Sequence, residues 1–428
     1  MAQNNGCSRR LCLALLTWHC GWLLGLLIIG RHLLSSSGLF QTIFHSSLPP
    51  VDCSALRFKT FRPYQCVTHD PNFTHLIHID NWMETFGAHY EVQGLLYLTR
   101  HCSRWPTGDC HELLSLKDKF LQSSPLYSSL SEFSRQKFDF NQLTRLGIEE
   151  SQQIGQKLET RFATFFQSLG PQNVQLGCTY LPRTCQTGHY ILNSIFSSRT
   201  SQIRPEELQY LKIQKSQSIG VDLANKISRK KELLVEKFND ALQHHLKDKR
   251  SLSFKEIVYL NQILSLDSIN FGYKLPNSII SPKLIIDLFE VKNLIKYAAK
   301  YVGPKNDGVI TNLMSNLKAT VEKIANPDTD KKFVLFATHE GTMSSILYSL
   351  GFLSENRVME GKSQLNDDDI PMCANLTILV LKSKENGSQR IVTVLNGAVR
   401  SIFGKSLHTE DMTMDYQSFM TEFAQHIE

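Results

Sequence analysis

Residues 95–106 read Leu-Leu-Tyr-Leu-Thr-Arg-His-Cys-Ser-Arg-Trp-Pro. The first five are apolar apart from one Thr, the composition of a buried strand. The run stops at Arg100-His101, Arg104 follows, and Trp105-Pro106 closes the segment. A strand ending this way carries its His and Arg at the carboxyl edge, where open α/β sheets bind ligands. Two guanidiniums beside an imidazole make an anion site, and the planar fork of Arg suits phosphate. A neutral imidazole nitrogen facing a held phosphorus is also a nucleophile.

Two further strand ends repeat the arrangement. Phe333-Val334-Leu335-Phe336-Ala337 is a continuous apolar run, as in a strand covered on both faces. Thr338-His339-Glu340-Gly341-Thr342 follows, then a predicted helix over residues 343–350 that Gly351 stops. His339 thus stands beside a carboxyl group and a helix N-terminus, which favours anions. Residues 174–179 alternate as a short strand, and Leu181-Pro182-Arg183-Thr184 leads into a helical pattern over 187–196. Taken singly, each fits a solvated or satisfied loop residue. Three strand ends carrying His or Arg in one chain point to one site. Between them, Thr144 caps a predicted helix whose Ile154, Leu158, Phe162, Phe165 and Leu169 share one apolar face, stopped by Gly170-Pro171.

Arg100-His101-x-x-Arg104-x-Pro106 resembles the signature of the histidine acid phosphatases, Arg-His-Gly-x-Arg-x-Pro, with Cys102 where that family has Gly. His339-Glu340-Gly341-Thr342 resembles its second signature. The common form is His-Asp-x-Thr; the multiple inositol polyphosphate phosphatases have His-Ala-Glu-Thr. Glu340 takes the position of the common Asp, one residue before the acid of the inositol phosphatase form. Pro371-Met372-Cys373-Ala374-Asn375-Leu376 and Ile391-Val392-Thr393-Val394-Leu395-Asn396 resemble that branch's closing strands. Residues 297–303 and 311–323 resemble its last cap helix and the helix leading into the His-Glu strand. The resemblance spans roughly residues 58–403 and is specific at the motifs.

It implies an α/β histidine-phosphatase (phosphoglycerate-mutase-like) sheet with flanking helices. The α/β parts would cover residues 53–200 and 305–428, with a helical cap inserted over 201–304. It implies phosphomonoester hydrolysis through a phosphohistidine on His101. Arg100, Arg104, Arg183 and His339 would hold the phosphate, and Glu340 would protonate the leaving group. No metal and no cofactor are implied. The substrate implied is an inositol polyphosphate, and lysine-bearing amphipathic patterns over 227–246 and 254–264 would suit a polyanion. Two other readings stand beside it. One is a general acid phosphatase for small phosphomonoesters. The other is a catalytically silent, phosphatase-like, membrane-anchored binding protein: Gly at position 102 lets backbone approach phosphate, whereas a Cys side chain could narrow the pocket or be oxidised.

The chain has 428 residues, 42% hydrophobic and 20% charged, enough for one large domain with an insertion or for two domains. Its net charge of +6 is mild, and no concentrated basic run marks nucleic-acid binding. Residues 11–29 are almost wholly apolar, with Arg9-Arg10 before them and Arg31-His32 after. At about 1.5 Å per residue such a run spans a bilayer core of about 30 Å, and it exceeds the usual signal-peptide core of about 7–15 residues. An uncleaved transmembrane signal-anchor is expected, with residues 1–10 cytosolic, 30–52 a stalk, and the rest lumenal or extracellular, at the endoplasmic reticulum or cell surface. Cleavage near Ser35-Ser36-Ser37-Gly38 would instead make the protein secreted. Glycosylation sequons begin at Asn72, Asn375 and Asn386, the second of them running into an apolar, buried segment. Cysteines beyond the apolar span lie at 53, 66, 102, 110, 178, 185 and 373, none with zinc-ligand spacing. Their odd number leaves at least one unpaired, and Cys102, inside the phosphate motif, is the expected leftover.

Overall fold

The computed structural model describes residues 77–427 except 107–109, 136–140, 214–215, 217, 272–278, 354, 360–369 and 404–411. The expected membrane span, the stalk, Asn72, Cys53 and Cys66 lie outside the described residues. Among the described residues no helix is long and apolar enough to cross a membrane.

The expected apolar strand is longer than its core, running as β1 from Tyr90–Arg100 and buried from Gly94 onward. It lies mid-sheet. With β2 (Val174–Cys178), β3 (Pro205–Glu207), β4 (Phe333–Thr338), β5 (Asn375–Ser383), β6 (Gln389–Leu395) and β7 (Ala398–Val399), the order is β3-β2-β4-β1-β5-β6-β7. The short β8 (Met414–Asp415) pairs with β6. β3, β2, β4 and β1 are parallel; β5 to β7 run antiparallel beyond β1. The pleat sends alternate residues to opposite faces. Leu96, Leu98, Val334 and Phe336 enter one apolar cluster, and Leu95, Tyr97, Phe333 and Leu335 the other.

Helices cover both faces, so the central strands read as unbroken apolar runs. Helix α1 is Ile79–Phe86. Helix α2 is Pro125–Arg135 and α3 is Arg145–Arg161, capped by Thr144 as expected, with Gly147 N–H donating to its hydroxyl at 3.1 Å. The predicted apolar face outlasts α3: the chain kinks at Phe162, and Phe165 continues the face from a separate short helix, Ala163–Gln167. Helix α4 (Pro182–Phe196) starts earlier than the pattern over 187–196 suggested, because Pro182 sits at its first position with φ already set for helix. Helices α5 (Val221–Leu242), α6 (Phe254–Phe271) and α7 (Pro282–Tyr297) follow, then α8 (Val309–Ala325), α9 (Glu340–Ser349) and α10 (Tyr416–Gln425).

A third apolar cluster stands apart from the sheet. Leu234, Phe238, Ile257, Leu260, Leu284 and Leu288 of α5 to α7 build it, together with Leu113, Phe120, Leu126 and Phe133. Leu113, Phe120, Leu126 and Phe133, from a stretch the expected boundaries gave to the α/β part, thus pack in one cluster with α5 to α7. At the other boundary, residues 205–207 form β3 of the main sheet, and Leu211 and Ile213 pack in its core, so the insertion proper begins at α5. The β3 strand is short and its residues are exposed, which is why it carries no apolar signal.

Candidate active site

Register brings the three sequence-separated strand ends together. Thr99 of β1 faces Ala337 of β4, and Ala337 faces Cys178 of β2. The residues just beyond, Arg100-His101, Thr179 to Arg183 and His339-Glu340, consequently share one edge of the sheet.

His101 leaves β1 with its N–H donating to the Thr338 carbonyl at 2.9 Å. Its ring Nδ1 lies 2.9 Å from the Cys102 carbonyl, which can only accept, so Nδ1 carries the proton and Nε2 keeps its lone pair. The His339 ring stands edge-on at a centroid distance of 5.8 Å. His339 Nδ1 lies 2.9 Å from the Thr179 hydroxyl. Arg183 sits in the first turn of α4, next to Cys185, whose disulfide to Cys178 ties that turn to the end of β2. Arg100, His101, Arg104 and Arg183 are all buried. Arg100 donates to the Ile370 carbonyl at 2.8 Å and Arg104 to the Trp105 carbonyl at 2.8 Å. Glu340 opens α9 with its carboxylate 3.5 Å from Arg100 Nη2 and hydrogen-bonded to Lys296 Nζ of α7. Each of the six expected site residues is therefore at one place.

The loop that presents His101 and Arg104 rests on α3. Ser103 N–H donates to the buried Glu150 carboxylate at 2.9 Å, and the Ser103 carbonyl accepts from Thr144 N–H at 2.9 Å. A Cβ on Gly147 would stand 1.9 Å from the Ser103 oxygen, so only glycine admits this contact. Cys102 N–H donates to the Thr187 hydroxyl at 3.2 Å. The expectation of a free Cys102 is corrected here, since its sulfur is bonded to Cys373. Thr99 pairs with Asn375 across β1 and β5, so the chain leaving β1 passes the chain entering β5. The side chain is packed among the apolar residues under the loop, and Cys102 has an ordinary negative φ.

Buried cations dominate the electrostatics of the site. Burial, then Arg183 and Arg100, hold Arg104 well below the usual arginine range; burial and Arg100 lower Arg183 to about 10. Burial and the same three guanidiniums push His101 well down, and burial with Arg183, Arg104, Lys300 and Arg100 lowers His339 to about 3. Both rings are therefore biased toward the neutral form. Burial alone would raise Glu340, but Lys296, Arg100 and Lys292 outweigh it and bring the carboxyl to about 2. The buried Nε atoms of Arg104 and Arg183 and Nε2 of His339 have no hydrogen-bond partner among the described residues. Such unpartnered polar atoms are costly unless a ligand meets them.

Solved structures show the same arrangement of elements. A phytase from D. castellii superposes with a TM-score of 0.67 at 11% identity, covering 87% of this chain and 85% of that one. A multiple inositol polyphosphate phosphatase from Bifidobacterium longum, complexed with inositol hexasulfate, gives 0.57 at 12% identity over 79% of this chain and 92% of that one. A Citrobacter braakii phytase gives 0.54 at 12% identity over 78% and 98%. The fold is that of the histidine acid phosphatases. No family profile and no curated protein matches the sequence. The resemblance read from the motifs holds at the level of fold, the common ground at these identities.

The motifs did not disclose Glu150, Thr187, Cys373 or Lys296. Glu150 reads as a helix-terminus acid, and Thr187 and Lys296 as ordinary helix residues. Lys296 has one sequence signal, its place with Lys292 one helical turn apart on a single face.

Proposed function

We propose that the protein is a phosphoric monoester hydrolase acting through a phosphohistidine on His101, with inositol polyphosphates as substrates. The observation that carries this is His101 itself: a buried imidazole biased toward its neutral form, whose Nδ1 is fixed on the Cys102 carbonyl while Nε2 stays available among three arginines. Arg100, Arg104 and Arg183 bind the phosphoryl oxygens and offset their charge. His339, its Nδ1 2.9 Å from the Thr179 hydroxyl, stands beside them. His101 Nε2 attacks phosphorus, the bond to the leaving oxygen breaks, and Glu340, having taken a proton from solvent, gives it to that oxygen. Glu340, now a carboxylate, takes a proton from the water that cleaves the phosphohistidine. The fold shared with phytases and with a phosphatase solved on inositol hexasulfate supports the substrate class, as do the cap lysines beside the arginines.

The silent binding-protein reading loses its motive, because Cys102 is held beneath the loop by Cys373. We also infer a secretory route with a membrane anchor at residues 11–29, supported by that apolar span and by two disulfides among the described residues. The purified protein should release phosphate from p-nitrophenyl phosphate and from inositol hexakisphosphate in weak acid, and His101→Ala should release none. Tight phosphate binding without turnover would make it a binding protein.

A further inference from the structure

We propose that Lys296 is a specificity-determining residue: it latches Glu340 as a carboxylate until a second phosphate on the substrate draws the ammonium away. This rests on the phosphatase reading above and names how that site selects substrates with more than one phosphate.

Lys296 belongs to no motif of the α/β part. It stands in the last turn of α7, whose Leu284, Ile285, Leu288 and Phe289 are buried in the cap and whose Leu294 and Tyr297 are buried against the sheet-side core. From there its Nζ hydrogen-bonds Oε1 of Glu340, while Oε2 faces Arg100. Lys292, one turn earlier on the same face, sees the charges of Lys296, Glu340, Arg100 and Arg104, and burial with Lys296 brings it to about 7. The charged groups facing Glu340 are thus Lys292 and Lys296 from α7, Arg100 from the end of β1 and Arg104 from the loop after it. Lys300 lies beside Gly341, next along α9.

A carboxylate gripped by an ammonium is a poor proton donor, yet an alkoxide leaving group needs a proton. The scissile phosphate answers only part of this, because it occupies Arg100, Arg104 and Arg183. Lys296 still holds Glu340. A second phosphate close to the scissile one offers Lys296 up to two negative charges against the single charge of Glu340. Once Lys296 turns to it, Glu340 takes a proton from solvent and passes it to the leaving oxygen as the phosphorus–oxygen bond breaks. The second phosphate then acts on turnover, not only on binding.

The test compares inositol 4-phosphate with inositol 4,5-bisphosphate, which share an alkoxide leaving group. On the unaltered protein the second phosphate should raise kcat by on the order of tenfold or more, the effect of about one pKa unit in a general acid. Lys296→Met should bring the two kcat values close together by speeding the monophosphate, and should move the high-pH fall of kcat/KM toward higher pH. Lys296→Arg, which keeps the charge, should retain the discrimination. A second phosphate that changes KM alone, measured on the unaltered protein, overturns the latch whether or not the Met variant folds. So does a Met variant that slows both substrates alike. Failure of the unaltered protein to hydrolyse even p-nitrophenyl phosphate removes the phosphatase reading, and the latch with it.

Discussion

In the proposed phosphoryl transfer His101 and Glu340 sit at opposite ends, and their variants should fail differently. His101→Ala removes the nitrogen that bonds phosphorus, so every substrate fails whatever its leaving group. Glu340→Gln removes only the proton donor, which matters for an alkoxide and little for an aryl oxide of low pKa. Inositol phosphate turnover should therefore fall by on the order of 10²-fold or more in Glu340→Gln, while a nitrophenyl phosphate still forms an acid-labile phosphoenzyme. Quenched-flow labelling with radioactive phosphate separates the two variants. Equal loss on both substrate types would take the acid role away from Glu340. Arg183→Ala should cost on the order of 10²–10³ in kcat/KM for either substrate, since a guanidinium aimed at the developing charge is lost whatever leaves.

At the scale of elements, the loop after β1 depends on a close approach to α3. Gly147→Ala places a methyl 1.9 Å from the Ser103 carbonyl, against backbone that cannot rotate away. The loop must shift, and misplacement of reacting groups by about 1 Å can cost on the order of 10²-fold in rate. The same overpacking should lower stability by about 1–3 kcal/mol in denaturant titrations. Gly220→Ala, where a Cβ meets nothing within 4 Å, is the control and should leave the rate unchanged. Gly147 illustrates what sequence could convey. The spacing of Thr144 and Gly147 announced a capped helix start, because capping is local. It could not announce the Ser103 contact, which depends on how two elements dock. Strand cores, the helix over 145–161 and the three charged strand ends were legible, since each rests on a short apolar run and what terminates it. The Cys102–Cys373 bridge was not, because its cysteines are 271 residues apart and meet only through the β1–β5 register. Residues 110–135 were hidden for a similar reason: amphipathic helices show that a face is buried, not against which cluster.

For the whole molecule, the buried cations set a direction for acid stability. His339 falls from an ordinary 6.5 to about 3, so between those pH values the unfolded chain binds a proton that the folded chain does not. Glu340 falls from 4.5 to about 2 and adds the same sign in a lower window. Where the unfolded state holds more protons, stability rises with pH. The ligand-free protein should thus lose Tm steadily as pH drops from 7 toward 3. Inorganic phosphate should restore part of it by binding only the folded state. Calorimetric scans across this range check it, and a flat or rising Tm on acidification would contradict the assigned electrostatics.

Membrane topology and fold meet at two sequons. Asn375 begins β5, where it is 3% exposed and donates to the Cys373 carbonyl at 3.2 Å. Asn386 lies exposed in the turn between β5 and β6, with its side-chain oxygen accepting from Ser388 N–H at 3.0 Å. If residues 11–29 anchor the chain with its bulk in the lumen, Asn386 meets the glycosylation machinery throughout folding. Asn375 does so only before β5 pairs with β1 and β6. Expression of the full chain in a eukaryotic secretory system should yield a membrane-bound glycoprotein that resists alkaline extraction. Asn386→Gln should remove one glycan, seen as a step in mobility that endoglycosidase treatment abolishes, whereas Asn375→Gln should leave mobility unchanged. A soluble product whose N-terminus begins near Ser35 would show cleavage of the apolar span. A chain that never acquires a glycan at Asn386 would place the domain on the cytosolic side and leave its disulfides without an oxidising compartment.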